Sequence, residues 1–91
     1  MFYTYVLHSK KFDKIYVGQT NNITIRLEKH NNGLVSSTKP YIPWEMIYHE
    51  GFDTRAESMR REKELKSHKG RDFIRTNWLK SGSARINQNP S

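Results

Sequence analysis

The chain has 91 residues, of which sixteen are Lys or Arg and nine are Asp or Glu, so its formal charge is +7. That length predicts one domain with a single modest core, and the lack of cysteine excludes disulfides and thiolate metal sites. No apolar run approaches the roughly 20 residues that span a bilayer, and the N-terminus lacks the pattern of a signal peptide, so we expect a cytoplasmic protein. The charge favours a polyanionic partner, most often nucleic acid, although it also favours solubility alone.

Two short strands open the chain. Phe2–Leu7 is rich in β-branched and aromatic residues, and Lys14–Gln19 alternates in the manner of a partner strand. The short polar connection between them, which includes Asp13, predicts an antiparallel hairpin.

A helix and a third strand follow the hairpin. Asn21 or Asn22 offers an N-cap, and the helical pattern ends at Gly33. Its shared face is expected to hold Ile23, Leu27 and His30. After a proline-bearing polar loop, the apolar and aromatic segment Trp44–Tyr48 predicts the third strand.

Two helices complete the predicted fold. Thr54 and Glu57 form a capping box, and the helix they open is expected to continue to about Lys69 and stop at Gly70. A third, shorter helix is expected to end at Gly82, and its apolar stripe comprises Phe73, Ile74, Trp78 and Leu79. The order β-β-α-β-α-α predicts an α+β domain over residues 1–82, with a small three-stranded, mostly antiparallel sheet flanked by helices. Residues 83–91 are polar and are interpreted as a tail.

Glu62 has an unusual position in the second predicted helix. Met59, Glu62 and Leu65 recur at helical spacing on the same side as Ala56, which places a carboxylate beside the expected buried stripe. An unpaired charge there is costly. Two explanations are open, a structural ion pair with a nearby Lys or Arg and a metal ligand at the edge of a cleft. Periodicity alone favours the ion pair.

Four further residues could act on a phosphate. Arg26 and His30 project together from one side of the first helix and can clamp a phosphate, but without other context a solvated helix face is the favoured explanation. Tyr5 and Tyr16 are mid-strand residues of the kind that usually pack, and a tyrosine acts as a general base only where its pKa is lowered. Gly18 inside a strand indicates a close backbone approach, which is compatible with a nearby phosphate.

In their order along the chain, these residues resemble the GIY-YIG nuclease superfamily. The first family motif is similar to Tyr3-Thr4-Tyr5 and the second to Tyr16-Val17-Gly18, with ten residues between the two tyrosines. The family's arginine, histidine and metal-binding glutamate fall on Arg26, His30 and Glu62. The resemblance covers roughly residues 2–80 and is greatest to the short, stand-alone bacterial branch, which is similar to the nuclease domain of the excision-repair nuclease subunit.

Some positions depart from the family pattern. Tyr3 and Thr4 replace a glycine and an isoleucine, and the segment after the second motif lacks the lysine that many members carry there. The family's late asparagine is best matched by Asn77, with Asn87 and Asn89 as further candidates in the tail. The missing lysine bears on the strength of the activity more than on its type.

The resemblance implies a metal-dependent endonuclease acting on nucleic acid, with DNA the expected substrate and repair or recombination the expected setting. Glu62 would supply the one protein carboxylate to a single Mg²⁺ or Mn²⁺ ion, Arg26 would neutralise phosphate charge, and a tyrosine would take the proton of the attacking water through His30 or directly. The implied catalytic residues are Tyr5, Tyr16, Arg26, His30 and Glu62. The expected nucleic-acid contacts are Arg26, Lys39, Arg61 and Lys66. The alternative is a basic nucleic-acid-binding module that keeps the fold with little catalysis, and the oligomeric state is open.

Overall fold

A computed structural model describes residues 1–79 of the chain, and its elements follow the predicted order β-β-α-β-α-α. The elements are β1 Phe2–Ser9, β2 Lys14–Thr20, α1 Ile23–Asn31, a single 3₁₀ turn Lys39–Tyr41, β3 Glu45–Phe52, α2 Arg55–Lys66 and α3 His68–Asn77. The predicted α+β class is confirmed. The predicted helix end at Gly82, the tail and the two late asparagines Asn87 and Asn89 lie outside the described residues. None of the helices in residues 1–79 is long and apolar enough to span a bilayer.

The sheet has the order β2-β1-β3, and both pairings are antiparallel. The central strand β1 pairs Tyr5 with Gly18 on one side and with His49 on the other. Because β1 lies between two strands and is covered on both faces, its residues Thr4–Leu7 are all buried. Alternation along the strand sends Tyr5 to one face and Val6 to the other.

One face of the sheet packs against α2 and α3 and is called here the aliphatic face. Its buried core consists of Val6, Val17, Leu65 and Ile74. The Thr4 hydroxyl donates to the Ser58 carbonyl at 2.6 Å, which fixes α2 close to β1. Thr4 is therefore explained structurally, although it departs from the family's usual residue at this position.

The opposite face carries α1 and the loop before β3, and is called here the aromatic face. Tyr5, Leu7 and Trp44 form its buried cluster, and Leu27 of α1 packs against them. The Asn31 side chain accepts from the Trp44 backbone N–H at 2.7 Å and donates to the Trp44 carbonyl at 3.0 Å. This two-way contact joins the end of α1 to the start of β3.

The sequence prediction of where α2 ends was wrong. The helix ends at Lys66, and Ser67 follows it as the N-cap of α3, where its hydroxyl accepts from the Gly70 N–H at 3.1 Å. Gly70 lies inside α3. A methyl group at this position would lie 2.6 Å from the Leu65 Cα and would also collide with the Glu64 carbonyl, so the position requires glycine. The glycine therefore permits the close approach of two helices and does not terminate one.

The inward stripe of α2 also differs from the predicted one. Ala56 and Met59 are exposed, whereas Ser58 and Leu65 are buried. Glu62 lies between these two buried residues at helical spacing and is itself partly exposed. Its expected position at the edge of the buried stripe is confirmed, with different neighbours.

Candidate active site

A buried chain of hydrogen bonds links β1, α1 and the loop before the 3₁₀ turn. The Tyr5 hydroxyl lies 2.9 Å from His30 Nε2, and His30 Nδ1 lies 2.8 Å from the Thr38 hydroxyl. All three residues are at most 1% exposed. The chain is positioned by β1, which directs Tyr5 to the aromatic face, and by the last turn of α1, which carries His30 to the same place.

The direction of these hydrogen bonds follows from the loop. Thr38 Oγ1 lies 3.2 Å from the Val35 carbonyl oxygen. A carbonyl oxygen can only accept, so the single hydroxyl proton of Thr38 is donated to Val35. Thr38 therefore accepts from His30 Nδ1–H, and the unprotonated Nε2 accepts from the Tyr5 hydroxyl. Burial, together with the charge of Arg26, lowers the pKa of His30 from 6.5 to about 4, so the ring is neutral at pH 7.

Tyr5 is held in its protonated form. Burial raises the pKa of its phenol above the ordinary value of 10, and negative charge on Tyr16 or Glu62 raises it further, while Arg26 acts in the opposite direction. The sequence analysis required a lowered pKa for a tyrosine to act as a base. For Tyr5, the effect of burial exceeds that of the nearby cation.

Gly18 explains how Tyr5 reaches His30. A methyl group at Gly18 would lie 2.6 Å from the Tyr5 hydroxyl oxygen and 2.9 Å from the Tyr16 ring. The phenol of Tyr5 therefore leans over the strand at the one position that has no side chain. A close approach was expected here, and Tyr5 makes it.

Tyr16, Arg26 and Glu62 surround this buried pair. The Tyr16 ring lies 4.9 Å from the His30 ring and 6.2 Å from the Tyr5 ring, measured between centroids, and Tyr16 is partly exposed. Arg26 lowers the pKa of both buried groups, and among residues 1–79 its own buried Nε has no hydrogen-bond partner. Tyr5, Tyr16 and His30 are therefore in mutual contact, and Arg26 and Glu62 lie near enough for their charges to act on the pKa of Tyr5. An unpaired cationic N–H of Arg26 suits an anionic ligand.

Glu62 reaches this site from α2, which packs against β1 and β2 on the aliphatic face. Its carboxylate is 21% exposed, and Oε2 lies 3.2 Å from Lys66 Nζ, one helical turn further on. The ion pair raised by the sequence is therefore present, and the role of Glu62 as a metal ligand stays a prediction. Lys66 pairs with the predicted metal ligand in this structure, and its predicted contact with nucleic acid stays a prediction.

The donor set fits a hard, hydrated ion. Residues 1–79 contain no cluster of three or more His, Asp or Glu side chains that could enclose a metal. A single carboxylate suits Mg²⁺ or Mn²⁺, which keep several waters and complete their shell with phosphate oxygens. It does not suit Zn²⁺, which takes three or four protein ligands.

The other predicted contact residues are spread over the surface. Lys39 is exposed directly after Thr38, close to the buried chain of hydrogen bonds. Arg61 belongs to a separate cluster, with its Nε 3.3 Å from Glu50 and its Nη1 3.2 Å from Glu64. Asn77, the candidate for the family's late asparagine, donates to the Phe73 carbonyl of its own helix at 3.0 Å.

Two residues important to the site were not identified as such from the sequence. Thr38 sets the tautomer of His30, and its carbonyl accepts from the Trp44 indole N–H at 2.9 Å. Asn31 holds the start of β3 in place. The sequence carries no periodic signal for either role, because both depend on contacts between separate elements.

Comparison with known proteins places these features in a family. The family model described as the GIY-YIG catalytic domain matches residues 1–76. A UPF0213 protein of Staphylococcus saprophyticus is 38% identical over 66 residues, which are 71% of this chain and 79% of that protein. A UPF0213 protein of Staphylococcus haemolyticus is 36% identical over the same shares. The solution NMR structure of a UPF0213 protein from Bacillus halodurans, 29% identical, matches with a TM-score of 0.50 over 90% of this chain and 88% of that one.

Proposed function

The chain belongs to the GIY-YIG family, and we propose that it is a metal-dependent endonuclease that hydrolyses phosphodiester bonds in DNA. The observation that carries this proposal is the convergence of a neutral buried histidine, two phenols, a cation and one partly exposed carboxylate on a single site. The charge of +7 supports a polyanionic substrate. A cytoplasmic location and a role in repair or recombination stay predictions of the sequence.

The two tyrosines have different roles in this proposal. Tyr5 is fully buried and its pKa is raised, so it stays protonated and does not act as a phenolate base. It positions His30, to which its hydroxyl donates. Tyr16 is partly exposed and packs on the same imidazole. We therefore assign to Tyr16 the acceptance of a proton from the attacking water, after this partly exposed phenol has released its own proton to solvent, and to the Tyr5–His30 pair the positioning of that phenol.

Arg26 acts on the attacked phosphate. Its orphaned buried N–H is a pre-oriented donor beside the phenols, where negative charge develops on the phosphate oxygens. Arg26 also disfavours protonation of His30. One cation thus both stabilises the transition state and keeps the imidazole neutral.

Glu62 is the residue that would hold the metal ion. A bound ion supplies stabilisation of the charge on the leaving 3′ oxygen. Without a bound ion, Lys66 pairs with the Glu62 carboxylate. The Lys66 side chain is 50% exposed, so replacing this i,i+4 ion pair by a metal ion costs little energy.

The decisive experiment compares two carboxylates of one helix. Glu62→Ala is expected to lower Mg²⁺-dependent nicking of supercoiled plasmid by at least about 10²-fold, while gel retardation in chelator is retained. Glu64→Ala is the matched control, because it removes a carboxylate from the same helix whose ion pair has the same 3.2 Å length. Glu64→Ala is expected to nick at the wild-type rate.

Nicking by Glu62→Ala at the wild-type rate would remove the metal assignment. Nicking by the wild type that persists in chelator would contradict metal dependence itself. Loss of activity in both variants would show that a general change of helix charge, and not the Glu62 site, is responsible.

A second candidate function is supported by the Glu62–Lys66 ion pair. A carboxylate already neutralised by a lysine of its own helix is compatible with a nucleic-acid-binding module that has lost the ion. In that case the wild type would retard DNA in a salt-sensitive manner and would not nick it with Mg²⁺ or Mn²⁺.

A further inference from the structure

The tip of the β1–β2 hairpin exposes an aromatic side chain that the core does not use. Phe12 is 42% exposed, and its ring meets the Tyr41 ring of the 3₁₀ turn edge-on, with centroids 5.6 Å apart at 72°. Two loops that are distant in sequence thus present adjacent aromatic rings on the same side of the molecule.

Lysines accompany both rings. Lys11 Nζ lies 5.4 Å from the centroid of Phe12, and Lys14 Nζ lies 5.2 Å from the centroid of Tyr41. The one acidic residue of this turn, Asp13, is engaged by Arg75 at 3.0 Å and by His8 at 3.0 Å. The surface therefore combines apolar ring area with positive charge.

The hairpin turn is held in a fixed conformation. Asp13 adopts a positive φ of 52°, which aspartate tolerates better than most residues. Arg75 on α3 donates to the Asp13 carboxylate and, at 3.1 Å, to its carbonyl. This anchor to a different element pre-organises the turn that presents Phe12.

The exposed rings connect directly with the candidate active site. The Tyr41 ring lies 6.4 Å from the Trp44 ring, and the Trp44 ring lies 6.5 Å from that of Tyr16. Tyr41 and Trp44 belong to the cluster on the aromatic face that also contains Tyr5 and Tyr16. Because both exposed-side rings, Tyr16 and Tyr41, flank the buried Trp44 ring, the hairpin surface and the candidate site lie on the same face of the sheet.

We propose that Lys11, Phe12, Lys14 and Tyr41 form a stacking surface, called here the flank platform, for unpaired nucleotides next to the scissile phosphate. Exposed aromatic faces accept any base but only where the base is not already stacked in a duplex, and the lysines bind the adjoining phosphates. The substrate class is nucleic acid with a single-stranded segment beside the cut. This inference rests on the proposed nuclease function and deepens it.

The test measures binding without cleavage. Fluorescence anisotropy in chelator compares a short labelled oligothymidine with a duplex of the same length. Phe12→Ala is expected to weaken single-strand binding about 5- to 150-fold, the range of one lost base stack, and to weaken duplex binding less than about twofold. Phe12→Trp is expected to keep single-strand binding at or above the wild-type level.

Phe73→Ala is the matched control, because Phe73 is 46% exposed and meets Trp78 edge-on, as Phe12 meets Tyr41. It is expected to leave both affinities unchanged. The platform is overturned if Phe12→Ala leaves single-strand binding intact, weakens both substrates equally or acts no differently from Phe73→Ala. Competition by polyglutamate as effective as that by oligothymidine would also overturn it, in favour of a general site for acidic chains.

Failure of this inference is distinct from failure of the nuclease proposal. Metal-dependent nicking with Phe12-independent binding overturns the platform and leaves the nuclease intact. Phe12-dependent single-strand binding without nicking supports the platform as the surface of a nucleic-acid-binding module and overturns the nuclease.

Discussion

The two faces of one sheet differ in how their buried residues are held. On the aliphatic face, Val6, Val17, Leu65 and Ile74 are joined by dispersion and the exclusion of water, neither of which is directional. On the aromatic face, Tyr5, His30 and Thr38 are equally buried, and each must find a hydrogen-bond partner. The first face tolerates any well-packed substitution, whereas the second depends on specific atoms. Side-chain alternation along β1 allows one strand to serve both.

The sharpest way to separate the faces is to remove single hydroxyl groups from the aromatic one. Tyr16→Phe is expected to lower the cleavage rate by about 10²–10⁴-fold, the usual contribution of a general base, and to change the free energy of unfolding by less than about 0.5 kcal/mol. Single-turnover plasmid nicking and urea unfolding measure the two quantities.

Tyr5→Phe is the matched substitution. It leaves the buried His30 Nε2 without its donor, so we expect a loss of about 1–3 kcal/mol in unfolding free energy and a smaller loss of rate than in Tyr16→Phe. A larger rate loss in Tyr5→Phe would reverse the roles assigned to the two phenols.

Much of this arrangement could be predicted from the sequence. Alternation predicted the strands, helical spacing placed His30 on the inner side of α1, and Glu62 was correctly expected at the edge of a buried stripe. These features depend on the period of each element, which a sequence records directly.

The rest depends on contacts between elements, which periodicity does not record. Thr38 matters because its loop folds back onto His30, and Gly18 matters because Tyr5 leans over it from the neighbouring strand. Gly70 was misinterpreted for the same reason, since only the packing of α3 on α2 distinguishes a close contact from a helix end. The catalytic roles of the site residues stay predictions until activity is measured.

The aliphatic face gives the second-largest expected effect. Ile74→Ala is expected to lower the free energy of unfolding by about 3 kcal/mol, because Ile74 is fully buried and truncation leaves a cavity. Ile74→Val should lose only about 1 kcal/mol. Urea denaturation measures both, and the folded fraction of each variant should nick DNA at the wild-type rate.

Phe73→Ala serves as the neighbouring control, since it truncates a partly exposed apolar residue on the same helix. It should destabilise the fold less than Ile74→Ala. If Ile74→Val lost its activity while keeping its stability, the two faces would be coupled and the contrast between them would fail.

The most gradual expected effect is a pH dependence that belongs to the aromatic face alone and develops over a range of pH. Burial lowers the pKa of His30 to about 4 from an unfolded value of 6.5, so between these values the unfolded chain binds a proton that the folded protein does not. Stability is therefore fully present above pH 6.5 and falls as the pH drops toward 4, by about 3 kcal/mol in total. His30→Gln should be less stable at pH 7 and should lose this part of the slope, whereas His68→Gln should keep it, because the side chain of His68 is 94% exposed.

Urea unfolding at several pH values between 4 and 7 measures the slope of stability against pH. An unchanged slope in His30→Gln would contradict the lowered pKa of His30, and with it the neutral imidazole assigned to the site.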